Sequence, residues 1–140
     1  ILRYRTRDLT RLIYDKCECG RTTVRMDRIL GRSDDMMIIR GVNVFPSQIE
    51  TCLTEFPAFT PQYFITVDRK NNEDTFDLDV ELRSEYFSPN PSKQMPYIKP
   101  LYDRIVSMVG IKPNIHIKEP GQIQRSIGKA KHVNDKRQFK

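Results

Sequence analysis

The chain has 140 residues, of which 38% are hydrophobic and 30% are charged, and it contains no tryptophan. This balance predicts one domain of ordinary size, because it excludes a membrane-spanning bundle, a disordered polymer and a large enzyme with a deep cavity. Lysine and arginine number 24 against 18 acidic residues, so the formal net charge is +6, which favours an anionic partner.

The first predicted elements are short β-strands at residues 9–14 and 22–30, separated by a turn that contains Cys17 and Cys19. Three cysteines without a secretory leader indicate a reducing compartment, so we expect a cytoplasmic protein. The spacing of Cys17 and Cys19 is typical of half a zinc site, but zinc needs about four ligands. We therefore predict no metal site from this chain alone, and leave open whether both thiols join an upstream site. Residues 31–35 have turn composition and predict an internal boundary.

The elements beyond this boundary predict an α+β fold. Residues 36–45 are expected to be extended, and a helix follows from Pro46, where Ser47 and Glu50 have the spacing of a capping box. The order strand, helix, strand, strand, helix, strand predicts a ferredoxin-like βαββαβ domain, with two helices on one face of an antiparallel sheet. The later strands are predicted at residues 63–67, 76–82 and 113–118, and the second helix at 96–109, ended by Gly110.

Segments that lie far apart in the chain resemble the motifs of one enzyme family. They are Tyr4-Arg5-Thr6-Arg7-Asp8-Leu9, Gly31-Arg32-Ser33-Asp34-Asp35-Met36 with Arg40-Gly41 after it, and Arg125-Ser126-Ile127-Gly128-Lys129-Ala130. In this order and at these separations, they resemble the C-terminal end of adenylate-forming acyl-CoA synthetases. The run Cys17-Glu18-Cys19-Gly20-Arg21-Thr22 and residues 42–50 are most similar to the phenylacetate–CoA ligase branch of that family.

The resemblance implies two domains. Residues 1–33 would be the β-rich C-terminal tail of a large AMP-binding domain, and residues 34–140 would be a mobile C-terminal lid. The family's phosphate loop and acyl pocket would lie upstream of Ile1, where the chain begins in the middle of a pattern. The chain would therefore be inactive by itself, and its partner would be its own N-terminal domain. A homodimer is left open.

The resemblance also implies roles for single residues. Asp8 would accept hydrogen bonds from the ribose of ATP or AMP, and Arg32 would offer its donor fork to ribose and phosphate oxygens. Asp34 would be the hinge whose backbone torsions absorb a domain rotation. Gly41 would let the lid backbone border the pantetheine arm of CoA. Without the resemblance, an exposed acid, a surface ion pair and turn residues explain these positions as well.

Lys129 is the catalytic residue that the resemblance implies. When a carboxylate attacks the α-phosphorus of ATP, two anions meet, and an ammonium group delivered by a closing lid would stabilise the charge on the phosphoryl oxygens. Ser126 and Gly128 would keep its loop mobile. His132 stands where the branch more often has arginine, so a phosphate contact there stays open. His116 is interpreted as a structural or solvent-facing residue.

The implied function is a two-step ligation. ATP and an aryl-acetic acid would give an acyl-adenylate and diphosphate, and CoA would then give acyl-CoA and AMP, with Mg²⁺ and most of the ATP held by the N-terminal domain. A basic RNA-binding module is an alternative, but Asp77, Asp79 and Glu81 on one predicted strand would oppose phosphate, so we expect neither nucleic acid nor a membrane as partner. A ligand-sensing regulatory domain explains the fold but not Asp8, Arg32 and Lys129 together.

Overall fold

The computed structural model describes residues 5–33, 35–123 and 132–137. Within these ranges the chain forms ten β-strands and two α-helices, which confirms the predicted mixture of strands and helices. The first strands are β1 at Asp8–Leu9, β2 at Leu12–Ile13, β3 at Arg25–Met26, β4 at Gly31–Arg32, β5 at Met37–Ile39 and β6 at Val42–Val44. The later elements are α1 at Pro46–Thr54, β7 at Phe59–Lys70, β8 at Glu73–Leu82, α2 at Pro91–Val109, β9 at Asn114–Lys118 and β10 at Val133–Asp135.

The first strands, β1 to β4, form a ribbon that folds back on itself. β1 pairs antiparallel with β4, which sets Asp8 opposite Arg32, and β2 pairs antiparallel with β3. At the far end of the ribbon, the Gly20 N–H donates to the carbonyl oxygen of Cys17 at 2.9 Å. Gly20 has a φ of +83°, in the left-handed region that glycine adopts without a steric cost. Strands therefore flank the cysteine turn as predicted, but they are two-residue pieces rather than continuous strands over residues 9–14 and 22–30.

Strands β5 and β6 form a hairpin closed by a turn at Arg40 and Gly41, since Ile39 pairs with Val42. Both turn residues have positive φ, 49° at Arg40 and 79° at Gly41, which is the pattern of a type I′ turn. The prediction of continuous extended structure over residues 36–45 is therefore wrong. The chain reverses there because glycine has no Cβ to oppose the left-handed conformation.

The main sheet has the strand order β10-β7-β8-β9 within the described ranges. β7 and β8 are antiparallel and are joined by a turn at Asn71 and Asn72, while β9 lies parallel to β8 and β10 lies parallel to β7. A ferredoxin-like sheet would take its first strand from residues 36–45. That segment is a separate hairpin instead, and β10 pairs with the free edge of β7. The central sheet with helices is confirmed, whereas the ferredoxin-like strand order is not found.

The core lies between one face of the main sheet and the two helices of the described chain. Alternate residues of β8 are fully buried, as the period of two in its sequence predicts, and residues at helical spacing in α1 and α2 join the same cluster. The buried face of the sheet therefore holds both helices. The core residues of these three elements are Phe76, Leu78, Val80, Leu82, Ile49, Cys52, Leu53, Leu101, Ile105 and Val109.

The helix ends differ in part from the predictions. The N-terminus of α1 is closed by Gln48, whose Oε1 accepts from the Phe45 N–H at 2.9 Å, so the expected capping box of Ser47 and Glu50 is wrong. α2 begins at Pro91 rather than near residue 96, because Asn90 caps it and proline suits a first helical position. It ends at Gly110, as predicted. Neither helix in the described part of the chain is long and apolar enough to cross a membrane.

Candidate functional site

Asp8 and Arg32, predicted as binding residues from motifs far apart in the sequence, are neighbours in the structure. They face each other across β1 and β4, and Nη1 of Arg32 lies 3.5 Å from Oδ1 of Asp8. Arg32 also lies near Asp35, with Nε 3.8 Å from Oδ2. The Asp8 and Arg32 side chains remain 26% and 45% exposed. A carboxylate and a guanidinium that are paired and still reachable can bind a polyol or a phosphate.

A cavity of about 260 Å³ opens beside this pair. Its lining includes Asp8, Arg32 and Asp35, together with Phe45, Pro46 and Ser47 at the start of α1. Ser47 Oγ donates to the carbonyl oxygen of Leu30 at 3.1 Å, which ties α1 to the ribbon. A Cβ at Gly31 would approach Ser47 Oγ to 3.2 Å, so glycine at this position lets α1 and the ribbon pack closely together. The set Asp8, Arg32, Asp35 and Ser47 offers both donors and acceptors to a ligand in the cavity.

Gly41 lies at the exposed tip of the β5–β6 hairpin, away from this cavity. It lines a different one, of about 410 Å³, together with Arg40, Arg69 and Asp74, and the two cavities have different lining residues. Among the described residues, no atom lies within 4 Å of where a Cβ at Gly41 would stand. The structure therefore does not bring Gly41 together with Asp8 and Arg32, and it leaves open space above the Gly41 backbone.

Asp74, which no sequence motif singles out, is a buried acid at the second cavity. Its carboxylate accepts from the Arg40 backbone N–H at 3.1 Å, from Arg69 Nε at 2.9 Å and from Arg137 Nη1 at 3.0 Å. These donors, the Arg40 N–H foremost, hold the pKa of Asp74 below its usual value despite burial. The sequence does contain a signal for this burial, because Asp74 occupies the same alternate positions of β8 as the buried residues that follow it.

The two cysteines of the turn lie side by side. Cys19 Sγ is 2.9 Å from Cys17 Sγ, and hydrogen bonding from Cys19, side chain first, lowers the pKa of Cys17. Among the described residues, no group of three or more histidine, cysteine or acidic side chains is arranged to hold a metal ion. The pair therefore offers two neighbouring thiols, and the lowered pKa of Cys17 makes it the more readily ionised of the two.

Lys129 and Asp34, the predicted catalytic and hinge residues, lie outside the described residues, as do Ser126 and Gly128. The described chain resumes at His132, whose ring stacks on Tyr63. The Ile65 N–H donates to the carbonyl oxygen of His132 at 2.7 Å, which fixes the start of β10 against β7. His116 is exposed, and its Nε2 lies 3.2 Å from Oδ1 of Asp77, in agreement with a solvent-facing role.

The comparison with protein families gives one match that covers most of the chain. A family model described as the AMP-binding enzyme C-terminal domain matches residues 41–137. Phenylacetate-coenzyme A ligase from Escherichia coli (strain K12) is 46% identical over 137 residues, which cover 98% of this chain and 31% of that protein. The chain thus corresponds to less than a third of the length of this relative.

Solved structures give the same picture. A 2-hydroxyisobutyryl-CoA ligase in the postadenylation state, in complex with R3-HIB-AMP, aligns with a TM-score of 0.80 at 29% identity, covering 94% of this chain and 28% of that one. The same ligase in its thioesterification state, with CoA and 2-HIB-AMP, gives a TM-score of 0.68 over 93% of this chain. A domain of phenylacetate-coenzyme A ligase from Bacteroides vulgatus gives 0.66 at 28% identity, covering 75% of this chain and 95% of that one.

Proposed function

Because the chain belongs to the family of AMP-binding enzyme C-terminal domains, we propose that it is the C-terminal part of an ATP-dependent acid–CoA ligase that acts on phenylacetate or a related aryl-acetic acid. The observation that carries this proposal is the 46% identity to a phenylacetate-coenzyme A ligase across 98% of the chain. In the proposed reaction, the acid and ATP form an acyl-adenylate and diphosphate. The CoA thiol then displaces AMP and gives the acyl-CoA.

Residues 1–33 are proposed to end the large nucleotide-binding domain, and residues 34–140 to form its mobile lid. In support, the ribbon of β1 to β4 exposes many apolar side chains, and an apolar surface of this kind usually marks a face that another protein body covers. The proposed partner is the N-terminal domain of the same protein. The exposed apolar residues include Leu12, Tyr14, Val24, Met26, Ile29 and Leu30.

Asp8 and Arg32 are proposed to bind the nucleotide in the first cavity. An ionised carboxylate has two oxygens, which suit the two hydroxyls of a ribose. The Arg32 guanidinium lies 3.5 Å from Asp8 and 3.8 Å from Asp35, and a planar donor fork of this kind suits phosphate or ribose oxygens. Support comes from the exposure of both side chains beside a cavity of about 260 Å³.

Gly41 is proposed to border the pantetheine arm of CoA. Glycine at the tip of a type I′ turn leaves the backbone accessible, and a side chain there would enter the space that a thiol arm needs. The open space above Gly41 and the nearby guanidinium groups of Arg40 and Arg69 support this role, since CoA carries several phosphates. ATP and CoA are therefore the substrates that we assign to the two cavities.

Lys129 is proposed as the catalytic residue of adenylation, where its ammonium group would stabilise charge that develops on the phosphoryl oxygens. The segment that holds it is followed by His132, which stacks on Tyr63, and the Tyr63 hydroxyl donates to the carbonyl oxygen of Pro46 at 3.2 Å. Pro46 lines the nucleotide cavity, so these contacts support delivery of Lys129 there. Mg²⁺ is proposed to be bound with the phosphates of ATP by the N-terminal domain.

Asp34 is proposed as the hinge about which the lid turns between the two half-reactions. The TM-score is 0.80 against the postadenylation state of a related ligase and 0.68 against its thioesterification state. This difference supports an arrangement of ribbon and lid like the one that follows adenylation. A rotation of the lid would then remove the segment of Lys129 from the bound adenylate and bring the face of Gly41 to it.

The protein is also proposed to work in the cytoplasm and without nucleic acid. The odd number of cysteines, three, suits a reducing compartment. Asp77 and Asp79 lie on the half-exposed face of β8, where they would repel the phosphates of RNA. These features support the choice of a small-molecule ligase over an RNA-binding module.

The test separates the two half-reactions in the full-length protein that carries this chain. Diphosphate exchange measures adenylation of phenylacetate, and thioester formation is measured from supplied phenylacetyl-adenylate and CoA. We expect Lys129→Ala to lower adenylation by about 100-fold or more and to spare thioester formation. Gly41→Asn, which keeps a residue suited to positive φ, should lower thioester formation and spare adenylation.

Lys136→Ala is the matched control, because it removes an exposed lysine from the same basic segment. It should leave both half-reactions unchanged. Wild-type protein that forms no phenylacetyl-adenylate would overturn the proposed substrate. If Lys129→Ala and Gly41→Asn impair the same half-reaction equally, the proposed assignment of Lys129 to adenylation and of Gly41 to thioester formation is wrong.

A further inference from the structure

We propose that Asp74 is a positioning residue that holds the Arg40–Gly41 turn in the conformation needed for thioester formation, an inference that rests on the function proposed above. Asp74 lines the cavity assigned to CoA, but its carboxylate accepts from three donors of the protein, so it would act through Arg40 rather than on the substrate. Its place at the beginning of β8, after the Asn71-Asn72 turn, brings it from a distant part of the sequence to the turn of the β5–β6 hairpin.

Asp74 contacts Arg40 at two points. The Arg40 backbone N–H donates to Oδ2 of Asp74 at 3.1 Å, and Arg40 Nε donates to the backbone oxygen of Asp74 at 2.8 Å. Arg40 has a φ of 49°, a conformation that residues with a Cβ rarely adopt. Since Arg40 is not a glycine, the turn benefits from contacts outside the hairpin, and Asp74 supplies one to the backbone and one to the side chain.

The carboxylate of Asp74 is itself fixed by other arginines. Arg69 Nε donates to Oδ1 at 2.9 Å, and Arg137 Nη1 donates to Oδ2 at 3.0 Å. The side chains of Asp74 and Arg137 are 7% and 4% exposed, so water and salt screen this pair little. Arg137 also donates to the carbonyl oxygen of Ile38 in β5. One buried ion pair therefore holds both the turn and the strand that leads into it.

These contacts serve the hairpin rather than the core. Arg40 and Gly41 are exposed, whereas the next inward-facing residues of β8, Phe76 and Leu78, are completely buried among apolar side chains. A change at Asp74 should therefore loosen the turn while the core stays packed. The step that uses the turn should suffer selectively, because a misplacement of about 1 Å can cost about 100-fold in rate.

The experiment compares Asp74→Asn with Asp77→Asn in the full-length protein. Asp77 lies on the same strand, and its half-buried carboxylate bonds to Asn114 and His116 in β9 instead. For Asp74→Asn we expect faster amide hydrogen exchange at residues 38–42. Thioester formation from supplied phenylacetyl-adenylate should fall about 10- to 100-fold, while diphosphate exchange stays near wild type. Asp77→Asn should change neither the exchange at residues 38–42 nor the ratio of the two half-reactions.

Two results would overturn the proposal: unchanged exchange at residues 38–42 in Asp74→Asn, or an equal fall of both half-reactions. If Asp74→Asn does not fold, Arg40→Ala replaces it, because that change removes the Arg40 Nε contact and keeps the pair of Asp74 and Arg137. It should also speed exchange at the turn, and an unchanged rate would equally refute the proposal. A wild-type protein without either half-reaction would refute the proposed function, and the exchange data would still decide whether Asp74 holds the turn.

Discussion

The imidazole ring of His132 stacks on the phenol ring of Tyr63, with the ring centroids 4.5 Å apart and the planes within 12° of each other. His132 Nδ1 also lies 3.1 Å from the Tyr63 carbonyl oxygen. Tyr63 is buried, and its hydroxyl donates to Pro46 at the start of α1. The residue that follows the segment of Lys129 is thereby linked to the wall of the candidate nucleotide cavity.

His132→Ala is predicted to weaken adenylation in the full-length protein. Loss of the stack would free the end of the segment that carries Lys129, so diphosphate exchange should fall about tenfold while thioester formation from supplied adenylate changes little. His116→Ala is the control, because it removes an exposed histidine on β9 that contacts Asp77 rather than Tyr63. An equal loss in both half-reactions for His132→Ala would contradict a role in placing Lys129.

Acid should weaken the fold partly through Asp74. The Arg40 N–H, together with Arg69 and Arg137, holds the pKa of Asp74 below its ordinary value in the folded state, whereas in the unfolded chain that pKa returns to about 3.9. The contribution of Asp74 to the free energy of unfolding is therefore fully present above the unfolded pKa, and it is lost as pH falls through the folded pKa.

Urea unfolding of wild type and Asp74→Asn tests the direction of this pH dependence. Wild type should be the more stable protein at pH 7, and the difference should shrink as the pH is lowered through about 4 and below. A difference that is independent of pH would mean that Asp74 has the same pKa in both states.

The three cysteines should react with iodoacetamide in a defined order. Hydrogen bonding from Cys19 lowers the pKa of Cys17, whereas burial raises the pKa of Cys52, and only the thiolate is nucleophilic. In the folded chain at neutral pH, mass spectrometry should find Cys17 or Cys19 modified well before Cys52. Cys19→Ala, which removes the side-chain donor, should slow modification at Cys17. Early modification of Cys52 would contradict its place in the core.

Phe76→Ala should destabilise the domain by about 3–5 kcal/mol, because it removes a large side chain from the centre of a packed core. Phe76 is completely buried on β8. Denaturant unfolding measures the loss, with Met95→Ala on α2 as the control. Met95 is 55% exposed, so its replacement should alter stability by no more than about 0.5 kcal/mol. Equal effects of both changes would mean that the packing around Phe76 is incorrectly assigned.

The periodic elements of this fold could be predicted from the sequence because burial imposes their period. Alternation in β8 and the helical spacing in α2 follow from which side chains face the core. The order of the sheet could not be predicted, because it depends on two local conformations. Positive φ at Arg40 and Gly41 turns an apolar run into a hairpin, and the pairing of β10 with β7 joins segments far apart in sequence.

The candidate site was predictable only where a motif marks it. Asp8 and Arg32 follow from family motifs, yet nothing in those motifs states that β1 and β4 set the two side chains opposite each other. Asp74 was missed because acids beside two asparagines are typical of a surface turn. Its burial arises from Arg69 and Arg137, and Arg137 reaches it from the far end of the chain.

The strand β10 has a consequence for handling the protein. Its residues, Val133–Asp135, cover the backbone of β7 opposite Ile65, Thr66 and Val67. A chain shortened to end after residue 123 would leave that edge with unpaired donors and acceptors, flanked by apolar side chains. Such an edge recruits strands from neighbouring molecules. Carboxyl-terminal trimming should therefore convert a dispersed protein into one that precipitates by intermolecular sheet growth.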